Sequence, residues 1–177
     1  VPEWVWEEAN RKNFVVTLHI VKDKALADDE NLSMIQDICR RYPHVKLILA
    51  HAGRGFHSPN TRKGVTFLRG IQNVWFDMSG ICEASPIMAI LQEFGPTRLL
   101  WGSDFPISQI IGRSVTLGDG FFWLQPDTCD YENAKNCKSP AIVALESLRA
   151  LKEAAGYFGL SSEDIQNIFY ANAINLL

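Results

Sequence analysis

The sequence has 177 residues, 47% of them hydrophobic and 21% charged, with a net charge of −3. That composition suits a single globular domain (1–177) with a sizeable core, and it excludes a disordered chain. The chain has no basic block, which argues against nucleic acid as a partner, and no apolar run of membrane-spanning length or signal-peptide pattern. Cys39, Cys82, Cys129 and Cys137 contain no C-x-x-C pair, so they read as reduced cytoplasmic cysteines and not as a disulfide framework or a zinc knuckle. The opening Val1-Pro2-Glu3-Trp4-Val5 carries no cap and reads like the interior of something larger.

In chain order, Glu3 to Lys12 reads as the end of a helix with Trp4 and Val5 as its apolar face. Phe14-Val15-Val16-Thr17-Leu18 is a β-branched run that ends at His19. Helical spacing of Leu32, Ile35, Ile38 and Cys39 predicts a helix from Asp28 to Arg41, stopped by Tyr42-Pro43. Val45 to Ala50 is the next strand, ending at His51, and Gly53-Arg54-Gly55 form a turn. A helix from about Thr61 to Arg69 follows, then a strand from Val74 to Ser79. Ser85-Pro86 opens a helix that stops at Gly95-Pro96.

The fourth strand, Leu99-Leu100-Trp101, runs into Gly102-Ser103-Asp104-Phe105-Pro106. Residues 107–139 then read as one long loop, of the length that serves as a lid, binding loop or contact arm. Ser139-Pro140 starts a helix to Phe158 with Ile142, Leu145, Leu148 and Leu151 inward, and Ser161 caps a final helix through Ile165 and Ile168. Four alternations of strand and helix predict a parallel sheet with helices outside. No Gly-rich phosphate-binding motif follows any strand.

Three strands end in groups that bind metals or move protons: His19, His51 and Asp104. The other carries Asp77 and Ser79. A lone strand-end histidine is more often structural, and a strand-end aspartate often caps a loop. In a parallel barrel, however, all such ends share one rim, which holds the active site. Imidazole and carboxylate together suit zinc and similar divalent ions, which acidify bound water. Asp104 is the candidate acceptor of that proton, and His51 the group that polarises substrate or returns the proton.

Four motifs occur in order: Val16-Thr17-Leu18-His19-Ile20, Leu47-Ile48-Leu49-Ala50-His51-Ala52-Gly53, Leu99-Leu100-Trp101-Gly102-Ser103-Asp104-Phe105-Pro106 and Ile168-Phe169-Tyr170-Ala171-Asn172-Ala173. Together they resemble the second half of the amidohydrolase-related barrels, the branch that includes aminocarboxymuconate-semialdehyde decarboxylase. The resemblance implies an α/β chain forming the C-terminal half (strands five to eight) of a (β/α)8 TIM barrel. It implies His19 and Asp104 as ligands of a divalent metal, zinc foremost, with Asp104 also the proton shuttle. His51 would be a catalytic histidine, or a second-metal ligand in binuclear relatives, and Asn172 a structural asparagine. The family's first-strand His-x-His pair is absent from the sequence.

Arg54, where relatives often carry glycine, has the chemistry to bind a substrate carboxylate, or else makes a surface ion pair. Phe121, Phe122 and Trp123 either cover the pocket, with Trp123 as a substrate contact, or form a homodimer contact. Three activities stay open. One is a metal-dependent hydrolase acting on a C–N, C–O or lactone bond of a small molecule. Another is a non-oxidative decarboxylase of an unsaturated or aromatic carboxylate. The last is an inactive binding or assembly module.

Overall fold

The computed structural model describes residues 1–131 and 140–177. Helix α1 (Glu3–Arg11) leads into strand β1 (Val15–Leu18), a 3-10 turn at Ala25–Ala27 and helix α2 (Asp29–Arg41). Strand β2 (Lys46–Leu49), the single turn α3 (His51–Arg54), helix α4 (Ser58–Phe67) and strand β3 (Val74–Asp77) follow. Next come helix α5 (Ala84–Phe94), the short strand β4 (Leu99–Leu100), and strands β5 (Arg113–Leu117) and β6 (Gly120–Leu124). The chain closes with helix α6 (Val143–Phe158), helix α7 (Ser162–Gln166), a π-helical stretch at Asn167–Ala171 and α8 (Asn172–Ile174).

The first four strands form one parallel sheet in the order β1-β2-β3-β4. Its register pairs Leu18 with Leu49, Leu49 with Phe76, and Phe76 with Leu99. Those side chains, apart from half-buried Leu18, are fully buried beneath the helices. A parallel ladder aligns the strand directions, so the residues that follow β1, β2, β3 and β4 all emerge at one rim.

The helices form where their apolar spacing gives them a face. Asp28 caps α2 by accepting from the Glu30 and Asn31 amides, both at 3.1 Å. Leu32, Ile35, Ile38 and Cys39 are buried as their spacing requires. The amide of Asn172 donates to Pro96 O at 2.8 Å and Leu99 O at 2.9 Å, tying the last helix to the base of β4. Gly64 lets α4 lie against the 3-10 turn, since a Cβ there would sit 2.2 Å from Leu26 O.

Several local expectations are corrected. In α1 the buried residues are Trp6 and Ala9, while Trp4 is exposed, because Trp6 stacks on Tyr42 across a 6.4 Å centroid separation. Helix α5 begins at Ala84, one residue before Ser85, which puts Pro86 still in the first turn where its missing N–H costs nothing. The start expected at Ser139 lies outside the described residues, as does Cys137, and Pro140 is not helical; α6 begins at Val143. Its inner face is Val143, Glu146, Ser147, Ala150, Leu151 and Ala154, and Leu145 is exposed. The helix is rolled toward its polar residues because they have partners there: Arg113 and Arg149 for Glu146, and Met78 O for Ser147.

The stretch 107–139 is not all loop. Its described part contains the antiparallel hairpin of β5 and β6. The signal was present in Leu117-Gly118-Asp119-Gly120, a Gly-rich turn between β-branched and aromatic residues. Among the described residues, no helix is long and apolar enough to cross a membrane.

Candidate active site

His51 follows β2 on a backbone path that ordinary residues avoid. His51, Ala52, Gly53 and Arg54 have φ of 53°, 54°, 66° and 57°, so α3 is one turn of left-handed helix. It is closed by the Arg54 amide donating to Ala50 O at 3.0 Å and the Gly55 amide donating to His51 O at 2.6 Å. Such a turn costs an L-residue about 1–2 kcal/mol, so the surroundings must hold it. They do so at three points. Gly53 fits against Leu26, whose Cδ2 would be 3.0 Å from an added Cβ. Thr61 Oγ1 donates to Ala52 O at 2.9 Å. Arg54 Nη1 donates to Lys22 O at 2.9 Å and also to Val21 O.

The turn delivers a buried imidazole to the rim. His51 Nδ1 lies 3.0 Å from Ser79 O and 2.9 Å from Ser79 Oγ. A carbonyl only accepts, so its partner assigns the proton to Nδ1 and leaves the lone pair on Nε2. Ser79 is itself fixed, its amide donating to Asp77 Oδ1 at 2.8 Å. Asp104, past the end of β4 and also at positive φ, brings Oδ2 to 3.9 Å from His51 Nδ1. The His19 ring meets the His51 ring edge-on at a centroid distance of 5.1 Å, and His19 is exposed at the end of β1.

One wall of this rim is aromatic. The Phe56 ring lies 5.3 Å from His51, 5.2 Å from Phe121 and 5.4 Å from Trp123. The hairpin thus brings Phe121 and Trp123 to the site through Phe56, while Phe122 points away and is 56% exposed. Sequence reasoning missed Phe56, since a single aromatic after a turn carries no pattern. Burial pushes the Cys39 thiol up to about 12 and raises that of Cys82 as well, so neither is poised as a nucleophile at neutral pH.

His19, His51 and Asp104 have the donor chemistry of a divalent-metal site, and the structure brings them to one rim. Among the described residues, however, no group of three or more His, Cys, Asp or Glu side chains is placed to hold a metal. Arg54, expected at the substrate, is occupied by two main-chain carbonyls of the segment after His19.

The amidohydrolase family model matches residues 2–177. The chain belongs to the amidohydrolase family. Over 127 residues this amidohydrolase chain is 28% identical to the L-fucono-1,5-lactonase of Burkholderia ambifaria, covering 63% of the chain and 43% of the lactonase. An amidohydrolase from Burkholderia multivorans with bound zinc aligns at 16% identity and a TM-score of 0.61, covering 97% of this chain and 55% of that one. A putative 2-pyrone-4,6-dicarboxylic acid hydrolase from Pseudomonas putida aligns at 17% identity and a TM-score of 0.59, over 97% and 54%. These structural likenesses show a shared fold. The chain spans about half the length of the relatives it matches, and its four-stranded parallel sheet is part of an amidohydrolase barrel.

Proposed function

We propose that the enzyme carrying this chain is a metal-dependent hydrolase that opens the ring of a small lactone. The observation that carries the reading is the convergence of His51 Nδ1 and Asp104 Oδ2, 3.9 Å apart at the shared rim of a parallel sheet. The lactonase relative supports the choice of bond. His19 and Asp104 would be the metal ligands that this chain supplies. A divalent ion bound there supplies water acidic enough to ionise near neutral pH.

The chain's own residues account for the proton movements. Asp104 takes the proton from the attacking water as its oxygen bonds to the lactone carbonyl carbon. It returns that proton to the ring oxygen as the C–O bond breaks, so the product is a hydroxy acid. His51, with Nδ1–H held on Ser79 O, accepts at Nε2 and orients the water or a substrate hydroxyl. Phe56, Phe121 and Trp123 shield one side of the site from water and present an apolar surface to the ring of the substrate.

The test is acid release by the purified intact enzyme from aldono-1,5-lactones, followed in a pH-stat with carbon dioxide measured in parallel. Lactone-dependent acid with no carbon dioxide is the expected result. Carbon dioxide release from an unsaturated or aromatic carboxylate, without lactone opening, would replace the reading with the decarboxylase.

A further inference from the structure

The β5–β6 hairpin is fastened to the body of the protein by one carboxylate. Glu83, at the entry to α5, accepts the Thr116 amide on Oε1 at 2.9 Å and the Thr116 hydroxyl on Oε2 at 2.6 Å. Ser58 Oγ donates to the same Oε2, and the Ser58 amide donates to Thr116 Oγ1 at 3.0 Å. Three elements, α4, α5 and β5, therefore meet at Glu83 in a closed ring of hydrogen bonds. A carboxylate that receives several donors is a stiff junction, because each donor fixes the direction of the others.

The register of the hairpin links this junction to the site. Thr116 is directly paired with Phe121, and Ser114 with Trp123. Directly opposed residues of an antiparallel pair project from the same face. The face that offers Thr116 to Glu83 is thus the face that lays Phe121 and Trp123 on Phe56, 5.3 Å from His51. A shift of Thr116 moves Phe121 with it.

We propose that Glu83 is a positioning residue that clasps the hairpin so that Phe121 and Trp123 form the aromatic wall of the His51 site, and thereby sets affinity for substrates with an apolar ring face. The proposal rests on the reading of the His51–Asp104 rim as the active site. The stem and tip of the hairpin have their own ties, Arg113 Nη2 donating to Cys82 O at 2.7 Å and His57 Nε2 lying 3.3 Å from Gly118 O. Loss of the clasp therefore loosens the wall without detaching the hairpin.

The test compares Glu83→Ala, Thr116→Val and Thr116→Ser in the intact enzyme by amide hydrogen exchange over 113–124 and by the kinetics of glucono-1,5-lactone opening. Exchange in the hairpin should speed up at least about tenfold in Glu83→Ala and Thr116→Val, and Thr116→Ser should restore protection. KM should rise about tenfold in the first two variants while kcat stays within about threefold, the pattern of lost ground-state binding. Unchanged exchange in both Glu83→Ala and Thr116→Val overturns the clasp. Faster exchange with an unchanged KM overturns its role in substrate affinity. A wild-type enzyme inert toward lactones counts against the lactonase reading alone, and the exchange data still decide the clasp.

Discussion

Ser79 O sits 3.0 Å from His51 Nδ1, and that contact decides which nitrogen of the histidine carries the proton. The main chain of one strand end fixes the tautomer of a side chain on the next, and Nε2 keeps its lone pair. His51→Ala should lower kcat/KM for lactone opening by roughly 10²–10⁴, the range of a lost acid–base or orienting group. Ser79→Ala keeps the carbonyl and loses only the hydroxyl 2.9 Å from Nδ1, so its loss should stay below about tenfold. Equal losses in the two variants would move the work from the histidine tautomer to the serine hydroxyl.

Asp104 carries the proton in the proposed reaction. Asp104→Asn keeps size and shape but cannot act as a base, and turnover should fall by at least about 10². The circular dichroism spectrum should be unchanged, since the side chain is only partly buried and makes its closest charged approach to His51. An Asp104→Asn enzyme of near wild-type activity would remove Asp104 from the mechanism.

Arg54 ties the left-handed turn to the segment that follows His19. Arg54→Ala breaks its contacts with Val21 O and Lys22 O and leaves the turn less supported. Stability should drop by roughly 1–3 kcal/mol in denaturant titrations. Arg54→Lys should recover only part of this, because a single ammonium lacks the planar fork of guanidinium. A stable Arg54→Ala enzyme whose KM rises only for carboxylate-bearing substrates would instead return Arg54 to the role of a carboxylate ligand.

Glu83 gives the hairpin an acid limit. Burial pushes its carboxyl up, but hydrogen bonds from Ser58 and Thr116 and the charge of Arg113 outweigh that, and the net shift is downward from 4.5. A group lowered in the folded state contributes fully above its unfolded value and is lost as pH falls through its folded value. The thermal midpoint should therefore decline below about pH 4.5, and the decline should be shallower in Glu83→Gln. Identical pH profiles for the two proteins would show that the clasp adds nothing ionic to stability.

Alternation of β-branched runs with amphipathic helices was enough to predict the parallel sheet, and with it the common rim for His19, His51 and Asp104. Those are local signals: burial on one face imposes its period on the sequence wherever an element forms. The short strand β4 and the capped start at Ser161 were legible for the same reason, whereas Asn172 as a structural asparagine followed only from the resemblance to the amidohydrolase-related barrels, and its contacts with Pro96 O and Leu99 O came from the fold. Periodicity said nothing of what the same residues meet across space. The left-handed turn at His51 exists because Leu26, Thr61 and Arg54 hold it, and only one of its four residues is a glycine. The inner face of α6 is set by partners for Glu146 and Ser147 that lie 33 and 69 residues away. Which histidine nitrogen is protonated, where Arg54 spends its donors, and why a hairpin places Phe121 and Trp123 beside Phe56 all depend on contacts between elements distant in the chain. Hydrogen bonds and ring contacts of that kind leave no pattern in a sequence, and the tertiary structure alone decided them.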